Sequence, residues 1–241
     1  MWALAVVLGA GLALLVRWRR SRLTWKDFVI LHGTRVYCRL WHRWTCRWLA
    51  PLPRHGPALI IANHTCSADP NFIMAGSPRL LSFLVAREHF DLHPRTRAFL
   101  DYLQCVPVTR NGPDPVALRL ALRRLAAGRA VCVFPEGNLS GVKRNRLLPA
   151  KPGVAYLALR ARAPVHPVFI MGGPRTERLL ASWLWPSPKA VRVIFGPPVD
   201  LSAYHDKPLS RPIIEEVTTL LMERVEALPS LLRETRTLRK P

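Results

Sequence analysis

Short apolar runs alternate with helical patterns between residues 58 and 195, and this alternation constrains the fold more than any other feature. The runs have the length and β-branched content of buried strands, and they are ALIIA (58–62), LLSFLVA (80–86), AVCVF (130–134), VHPVFI (165–170) and AVRVIF (190–195). Between them, residues 115–128 and 151–163 have helical periodicity, and another helix is predicted after a capping residue, Ser210. The pattern predicts an α/β fold, a mixed sheet flanked by helices.

The N-terminal segment is different, because residues 2–16 are apolar without exception and run directly into RWRRSR. As a helix this segment spans about 22 Å, which is shorter than the roughly 30 Å hydrocarbon core of a bilayer. The positive charge follows the apolar run, which favours an uncleaved membrane anchor over a cleaved signal peptide. The arginines held on the cytoplasmic side are then Arg17, Arg19, Arg20 and Arg22. A buried core helix is the alternative.

Arginine and tryptophan alternate in the next stretch, RVYCRLWHRWTCRWL (35–49). The spacing predicts one helix with Val36, Leu40, Trp44 and Trp48 near one face and a basic ridge of Arg35, Arg39, Arg43 and Arg47. Such a helix suits the lipid headgroup region, although RNA could use the same residues. We therefore divide the chain into a membrane-anchoring region (1–50), an α/β domain (51–205) and a C-terminal helix and tail (206–241).

Composition narrows the class of protein. The chain carries 36 Lys+Arg against 15 Asp+Glu, a formal net charge of +21, while 49% of its residues are hydrophobic. The apolar content excludes a disordered basic tail, and the excess positive charge implies an acidic partner such as nucleic acid, anionic lipid or an acidic carrier protein. Five cysteines without C-x-x-C spacing support neither a disulfide framework nor a zinc site, which favours a reducing compartment.

Two segments after predicted strands carry reactive side chains. In IIANHTCSADPNF, His64 and Asp69 are five residues apart, and Pro70 is placed to start a helix that Asp69 caps. A carboxylate at one imidazole nitrogen fixes the tautomer and leaves the other nitrogen to act as a base. In FPEGNLSGVKRNR, the glycine-containing loop offers one carboxylate and several donors to an anionic ligand: Glu136, Gly137, Asn138, Ser140, Lys143 and Arg144. GNLSG is too long for a G-x-S-x-G elbow, so Ser140 is not expected to be a nucleophile.

The order of four blocks, NHTCSAD, VPVTR, FPEGNLS and PVHPVFI, resembles the glycerolipid acyltransferase family, and within it the 1-acylglycerol-3-phosphate (lysophosphatidate) acyltransferases. The resemblance covers roughly residues 50–205 and includes LVARE (84–88) and LLPAKPG (147–153). It implies that His64 of the family's H-x4-D motif deprotonates the acceptor hydroxyl, while Asp69 orients and charge-balances it. The hydroxyl then attacks the acyl thioester directly. Asn63 completes this block.

The resemblance also implies substrate contacts for the remaining blocks. Arg110 would hold the acceptor phosphate, Glu136 would hold the glycerol hydroxyl, and the block around Pro167 would line the acyl site. Departures from the family pattern are Cys66 for Ser, Gln104 for Gly, Asn138 for Thr and Leu139 for Arg. Because Leu139 cannot bind phosphate, either Lys143 or Arg144 supplies the charge or the acceptor is not a simple phosphomonoester. Cys66 is expected to pack rather than to carry the acyl group.

We therefore expect a membrane-associated O-acyltransferase on the cytoplasmic face that converts lysophosphatidate to phosphatidate, with acyl-CoA or acyl-carrier protein as co-substrate. No metal or other cofactor is expected. The expected partners are membrane lipids, an anionic bilayer surface and acyl-carrier protein, without nucleic acid. Another lysolipid acceptor, either a lyso-ornithine lipid or a lysophospholipid, is the first alternative. A non-enzymatic, membrane-tethered nucleic-acid-binding protein is the second.

Overall fold

The computed structural model describes residues 2–21, 23–109, 112–139, 148–174, 176 and 178–231. In chain order the elements are α1 (Trp2–Ser21), α2 (Trp25–His42), β1 (Thr45–Trp48), β2 (Ala58–Ala62), α3 (Asp69–Gly76), β3 (Leu81–Ala86), α4 (Arg87–Phe90), α5 (Pro94–Tyr102), β4 (Val106–Val108), α6 (Pro115–Ala126), β5 (Ala130–Val133), α7 (Gly153–Ala161), β6 (Val165–Met171), α8 (Leu179–Leu184), β7 (Arg192–Phe195), the 3₁₀ turn Ser202–Tyr204 and α9 (Arg211–Glu226). All five strands predicted from apolar runs are present, and so are the predicted helices of the α/β region.

The strands form one seven-stranded sheet in the order β1-β7-β6-β2-β5-β3-β4. The five strands from β6 to β4 are parallel, whereas β7 runs antiparallel to β6 and carries β1 parallel to itself. The predicted mixed sheet is therefore confirmed. Parallel neighbours require helical crossovers, which explains why helical patterns separate the apolar runs in the sequence.

Helices cover both faces of the sheet, so the central strands are buried on both sides. On β2, Ile60 packs into the core formed with α2 and α3, while Leu59 and Ile61 pack into the core formed with α6, α7 and α9. Continuous apolar runs are typical of such strands, because both faces are dry. Val217, Leu221 and Val225 bury the apolar stripe of α9 in the second core, as its periodicity predicts. Ser210 occupies the N-cap position but makes no side-chain capping hydrogen bond.

The apolar N-terminal segment is helical, as predicted, and continues to Ser21 as α1. Leu14, Leu15 and Val16 are exposed, so this part of α1 is not the buried core helix considered as an alternative. Trp18 of α1 meets the Trp25 ring of α2 edge to face, with 5.3 Å between ring centroids. Among the described residues, no helix combines the length and apolar character needed to cross a membrane.

The prediction of a single helix over residues 35–49 is wrong beyond His42. Arg43 adopts a left-handed conformation with φ 49° and ends α2, and the chain then enters the sheet as β1. Trp44 is only 6% exposed and donates its indole N–H to the Phe72 carbonyl at 3.1 Å, whereas Trp48 is 49% exposed. The sheet therefore includes residues upstream of 51 that the sequence placed in the membrane-anchoring region.

Candidate active site

The carboxyl ends of β2, β5 and β6 meet at one edge of the sheet. These three strands are adjacent and parallel, so the segments that follow them emerge side by side. His64 lies two residues beyond β2, and Glu136 lies three residues beyond β5. Clefts outside the carboxyl ends of parallel strands are the usual ligand sites of α/β sheets. The fold thus brings together the first and third predicted blocks.

His64 and Asp69 form a hydrogen-bonded pair at this edge. Nδ1 of His64 lies 3.0 Å from Oδ2 of Asp69, which is fully buried, while the His64 side chain remains 18% exposed. Because an ionised carboxylate only accepts hydrogen bonds, Nδ1 carries the proton and Nε2 is the basic nitrogen. The pair therefore has the arrangement of a general base with its orienting carboxylate.

Asp69 also organises the loop that carries His64. Its carboxylate accepts the backbone N–H groups of Thr65 and Cys66, the latter at 2.9 Å, and the Thr65 hydroxyl at 3.0 Å. The prediction that Asp69 caps the following helix is wrong, because Ala68 is the N-cap and Asp69 is the first residue of α3. The position of Pro70 in the first turn agrees with the prediction. The contribution of Thr65 was missed, since a hydroxyl next to histidine has no signature of its own.

Cys66 lies beneath this loop, fully buried, and its thiol donates to Oδ1 of Asp69 at 3.4 Å. Burial raises the pKa of the Cys66 thiol above its ordinary value, and the nearby Asp69 charge raises it further. A thiol that stays protonated is a poor nucleophile. The geometry thus agrees with the expected packing role. All five cysteines are free thiols.

Phe134 and Glu136 hold His64 from the neighbouring strand. The Phe134 ring stacks on the imidazole with 4.0 Å between centroids and 17° between planes. The Glu136 carboxylate is 3% exposed, and its two oxygens accept the backbone N–H groups of His64 at 2.8 Å and Leu148 at 2.9 Å. Burial raises the pKa of Glu136, while these two amides oppose the increase. Glu136 positions the loop that carries His64, and its contact with an acceptor hydroxyl stays a prediction.

Asn63 fixes the loop to the other neighbouring strand. Its buried side-chain amide donates to the Ile170 carbonyl at 2.9 Å and accepts the Ile170 N–H at 2.7 Å. This pairing continues the contact between β2 and β6 past the end of the strand. Asn63 is therefore a positioning residue in this geometry, and a direct contact with substrate remains a prediction.

The turn after β5 places Gly137 and Asn138 near the surface. Gly137 has a φ of +67°, and a Cβ built there would lie 2.6 Å from Cε of Lys151. The left-handed φ favours glycine here, whereas the flexible Lys151 side chain could move aside for a Cβ. Asn138 is exposed beside this turn. Lys151, whose side chain lies against Gly137, is a cation that the motif interpretation missed, although LLPAKPG contains it.

The predicted residues Arg110, Ser140, Lys143 and Arg144 lie outside the described part of the chain, and their roles stay predictions. β4, which precedes Arg110, is present at the edge of the sheet. Across the residues that the structure does describe, no group of three or more His, Cys, Asp or Glu side chains could hold a metal ion.

The chain belongs to the acyltransferase family, because the family model described as Acyltransferase matches residues 43–171, more than half of the sequence. It is therefore an acyltransferase enzyme, and a non-enzymatic nucleic-acid-binding protein, the second alternative above, is excluded. The match begins in the loop before β1 and ends with β6. It thus includes the His64–Asp69 pair and the whole FPEG turn.

Curated relatives are similar at low identity. The 1-acyl-sn-glycerol-3-phosphate acyltransferase of Bacillus subtilis is 23% identical over 182 residues, which cover 75% of this chain and 85% of that protein. The enzyme of the same name from Limnanthes alba is 27% identical over 146 residues, covering 59% of this chain and 50% of that protein. Lysophosphatidylcholine acyltransferase of Drosophila melanogaster is 26% identical over 162 residues, covering 64% of this chain and 28% of that protein.

Among solved structures, the 1-acyl-sn-glycerophosphate (LPA) acyltransferase PlsC from Thermotoga maritima superposes with a TM-score of 0.64 at 21% identity. The superposition covers 95% of this chain and 92% of that chain. The two proteins therefore share a fold along nearly their whole lengths.

Proposed function

We propose that the enzyme transfers a fatty acyl group from acyl-CoA or acyl-carrier protein to the free hydroxyl of lysophosphatidate, which gives phosphatidate. The observation that carries the proposal is the His64–Asp69 pair, with 3.0 Å between Nδ1 and Oδ2, at the carboxyl edge of β2. The relatives named 1-acyl-sn-glycerol-3-phosphate acyltransferase support the choice of acceptor.

The reaction needs one base and no covalent enzyme intermediate. Nε2 of His64 takes the proton from the acceptor hydroxyl as its oxygen attacks the thioester carbonyl, and Asp69 stabilises the imidazolium that forms. The tetrahedral intermediate then expels the thiolate, which takes the proton from His64 and leaves as a free thiol. Stacking on Phe134 and the Glu136 contact to the His64 amide keep the imidazole in place throughout.

The anionic head of the acceptor requires cations near the FPEG turn. Arg110 with Lys143 or Arg144 supplies this charge in our proposal, because Leu139 stands where the family has arginine. Lys151 lies against Gly137 in the same turn and adds a further cation. Asn138, exposed at the turn, offers an amide donor or acceptor to the same head group.

A different lysolipid acceptor is the second candidate, and Leu139 is the observation that favours it. A lysophospholipid or a lyso-ornithine lipid would not need a bidentate guanidinium at this position. The similarity to a lysophosphatidylcholine acyltransferase of Drosophila melanogaster supports the same alternative.

We also propose that the enzyme works on the cytoplasmic face of a membrane, where both its lipid substrate and its product reside. Exposed apolar residues of α1, including Leu14, Leu15 and Val16, adjoin the arginines that follow them. An apolar segment next to basic residues favours insertion into an anionic interface, whether or not the helix spans the bilayer.

The test is an assay of the purified full chain over lysophosphatidate, lysophosphatidylcholine and lyso-ornithine lipid, each with acyl-CoA and with acyl-carrier protein. We expect phosphatidate to be the fastest-forming product by mass spectrometry. Faster acylation of either other lipid would overturn the proposed acceptor but not the reaction class.

Charge variants locate the phosphate contact. We expect Lys143→Ala with Arg144→Ala to abolish lysophosphatidate use, and Leu139→Arg to leave it unchanged. Full activity of the double alanine variant would contradict the placement of the phosphate contact in this loop.

A further inference from the structure

An apolar surface is exposed where the end of α2 meets α8. We call it the tryptophan–leucine surface, and its members are Leu40, Trp41, Leu180, Leu184 and Trp185, exposed by 78%, 48%, 71%, 64% and 64%. Leu180 and Leu184 are one helical turn apart, and the Trp41 indole N–H donates to the Leu184 carbonyl at 2.9 Å. Apolar patches of this kind on a folded protein mark interaction sites.

Hydrogen bonds between α2 and the region of α8 hold this surface in place. The Tyr37 hydroxyl donates to the Trp183 carbonyl at 2.6 Å and lies 3.0 Å from Nε2 of His42. The other ring nitrogen of His42 lies 2.7 Å from the buried Ser187 hydroxyl. The Arg43 guanidinium donates to the Ser187 carbonyl at 3.0 Å. Two elements that are more than 140 residues apart in sequence thus present their apolar side chains as one unit.

The two chain segments that form this surface are rich in basic side chains. All members of the tryptophan–leucine surface lie in two segments, residues 28–68 and 178–199. Neither segment includes an aspartate or glutamate. Several basic side chains in these two segments are exposed, namely Arg39, Arg43, Arg47, Lys189 and Arg192. Three of the five apolar members are leucines, which do not stack on nucleic-acid bases, so hydrocarbon suits them better than RNA.

The surface adjoins the catalytic edge of the sheet. α8 lies between the carboxyl end of β6 and the start of β7, and β6 is the neighbour of β2, which carries His64. β7 and β2 are two inter-strand spacings apart, about 10 Å. Where the chain leaves β6 toward α8, a Cβ built on Gly173 would lie 3.4 Å from both the Thr65 hydroxyl and the Cys66 sulfur.

We infer that the tryptophan–leucine surface inserts into an anionic bilayer surface and holds the catalytic edge at headgroup level. The inference rests on the proposed function, since a lysolipid acceptor enters from the bilayer. Leucine and tryptophan side chains enter the interface, and the surrounding arginines and lysine contact anionic headgroups. The α8 part of this surface is separate from the apolar N-terminal segment, so the enzyme has a membrane contact beside its active site.

A probe at position 184 tests this directly in the full chain. Leu184→Cys and the control Ala126→Cys, which is exposed in the last turn of α6 at the opposite edge of the sheet, are labelled with an environment-sensitive thiol dye near neutral pH. Native thiols react slowly there, because burial raises the pKa of Cys38 and Cys46 to about 12 and that of Cys105 to about 11. Equal melting temperatures verify the fold of each labelled variant.

On phosphatidylcholine vesicles containing phosphatidylglycerol, we expect the dye at 184 to shift to the blue and to be quenched by spin-labelled lipid, with no change at 126. We expect Leu184→Asp with Trp185→Asp to weaken vesicle partitioning at least about tenfold, the scale of one lost leucine burial, while Ala126→Asp partitions like the wild type. A dye at 184 that stays in water on bound vesicles, unchanged partitioning of the double variant, or a response to single-stranded RNA but not to vesicles would overturn the inference.

The His64→Ala variant separates this inference from the proposed function. It should partition onto vesicles like the wild type, because His64 is not part of the tryptophan–leucine surface. Failure of the wild type to acylate any lysolipid, with normal insertion at position 184, would overturn the proposed function alone.

Discussion

In the loop that carries His64, one buried carboxylate serves two purposes. Asp69 pairs with His64 and also accepts the amides of Thr65 and Cys66, so the imidazole and the loop that carries it depend on the same side chain. The spacing of His64 and Asp69 after a predicted strand, together with the order of the motifs, predicted the pair. The sequence could not predict the loop contacts, because their donors include backbone N–H groups, and residue identity does not show which of these donate to Asp69.

We predict that Asp69→Asn lowers acyl transfer by at least about a hundredfold, the usual scale on which a general base is lost. The amide places a donor where the carboxylate accepts several, so both the His64 tautomer and the loop conformation are disturbed. The measurement is the turnover number together with the melting temperature. Turnover close to that of the wild type would contradict the role of Asp69.

Among the elements, the strands of the α/β region are predictable and the end of α2 is not. Buried parallel strands appear in sequence as continuous apolar runs, whereas the Arg/Trp pattern continues unbroken through Arg43 and offers no glycine or proline to end the helix. Tertiary contacts decide the outcome, since Trp44 bonds to Phe72 and the following residues pair with β7. The tryptophan–leucine surface was missed for a similar reason, because three of its five members, Leu180, Leu184 and Trp185, lie in or directly after α8.

Two tryptophans distinguish β1 from a continuing helix. Trp44→Ala removes a buried core side chain and should lower the free energy of unfolding by about 3–5 kcal/mol. Trp48→Ala removes a half-exposed ring and should cost far less. Denaturant unfolding of both variants provides the comparison. Equal effects would contradict the end of α2 at His42.

The end of α5 shows why the family usually has glycine at the position of Gln104. Gln104, at the position where the family usually has glycine, has a φ of +56°, and its N–H donates to the Asp101 carbonyl at 2.9 Å. Left-handed residues after a helix favour glycine, because other side chains crowd the backbone. We predict that Gln104→Gly raises the free energy of unfolding by about 1 kcal/mol. An unchanged or lower value in denaturant unfolding would contradict this account.

At the scale of the whole molecule, buried neutral histidines link stability to pH. Burial lowers the pKa of His42 and His166 below the ordinary value of about 6.5, so below that pH the unfolded chain binds protons that the folded chain does not. The contribution of these two histidines to the free energy of unfolding is therefore fully present above that pH. It is lost as the pH falls toward the folded pKa values, by at most about 1.4 kcal/mol per pH unit for each histidine.

We predict that His42→Asn combined with His166→Asn reduces the loss of unfolding free energy between about pH 7 and about pH 5, whatever the variant's stability at neutral pH. Denaturant unfolding across this range measures the slope. A slope equal to that of the wild type would show that other groups cause the pH dependence.

The molecule as a whole places its chemistry at one edge of a mixed sheet and surrounds the neighbouring surface with positive charge. The net charge is +21. In our proposal, Arg39, Arg43 and Arg47 lie near the bilayer, while Lys151 lies at the FPEG turn. Composition alone left nucleic acid, anionic lipid and an acidic carrier protein open. The family match identifies an acyltransferase, and a lipid partner belongs to our proposal.

The most direct test of the central claim is acyl transfer by purified wild-type protein and His64→Ala, measured side by side with acyl-CoA or acyl-carrier protein and lysophosphatidate. We predict that the wild type forms phosphatidate and free thiol in equal amounts, and that His64→Ala forms both at least about a hundredfold more slowly while melting at the same temperature. Equal rates in the two proteins would contradict His64 as the base and, with it, the mechanism.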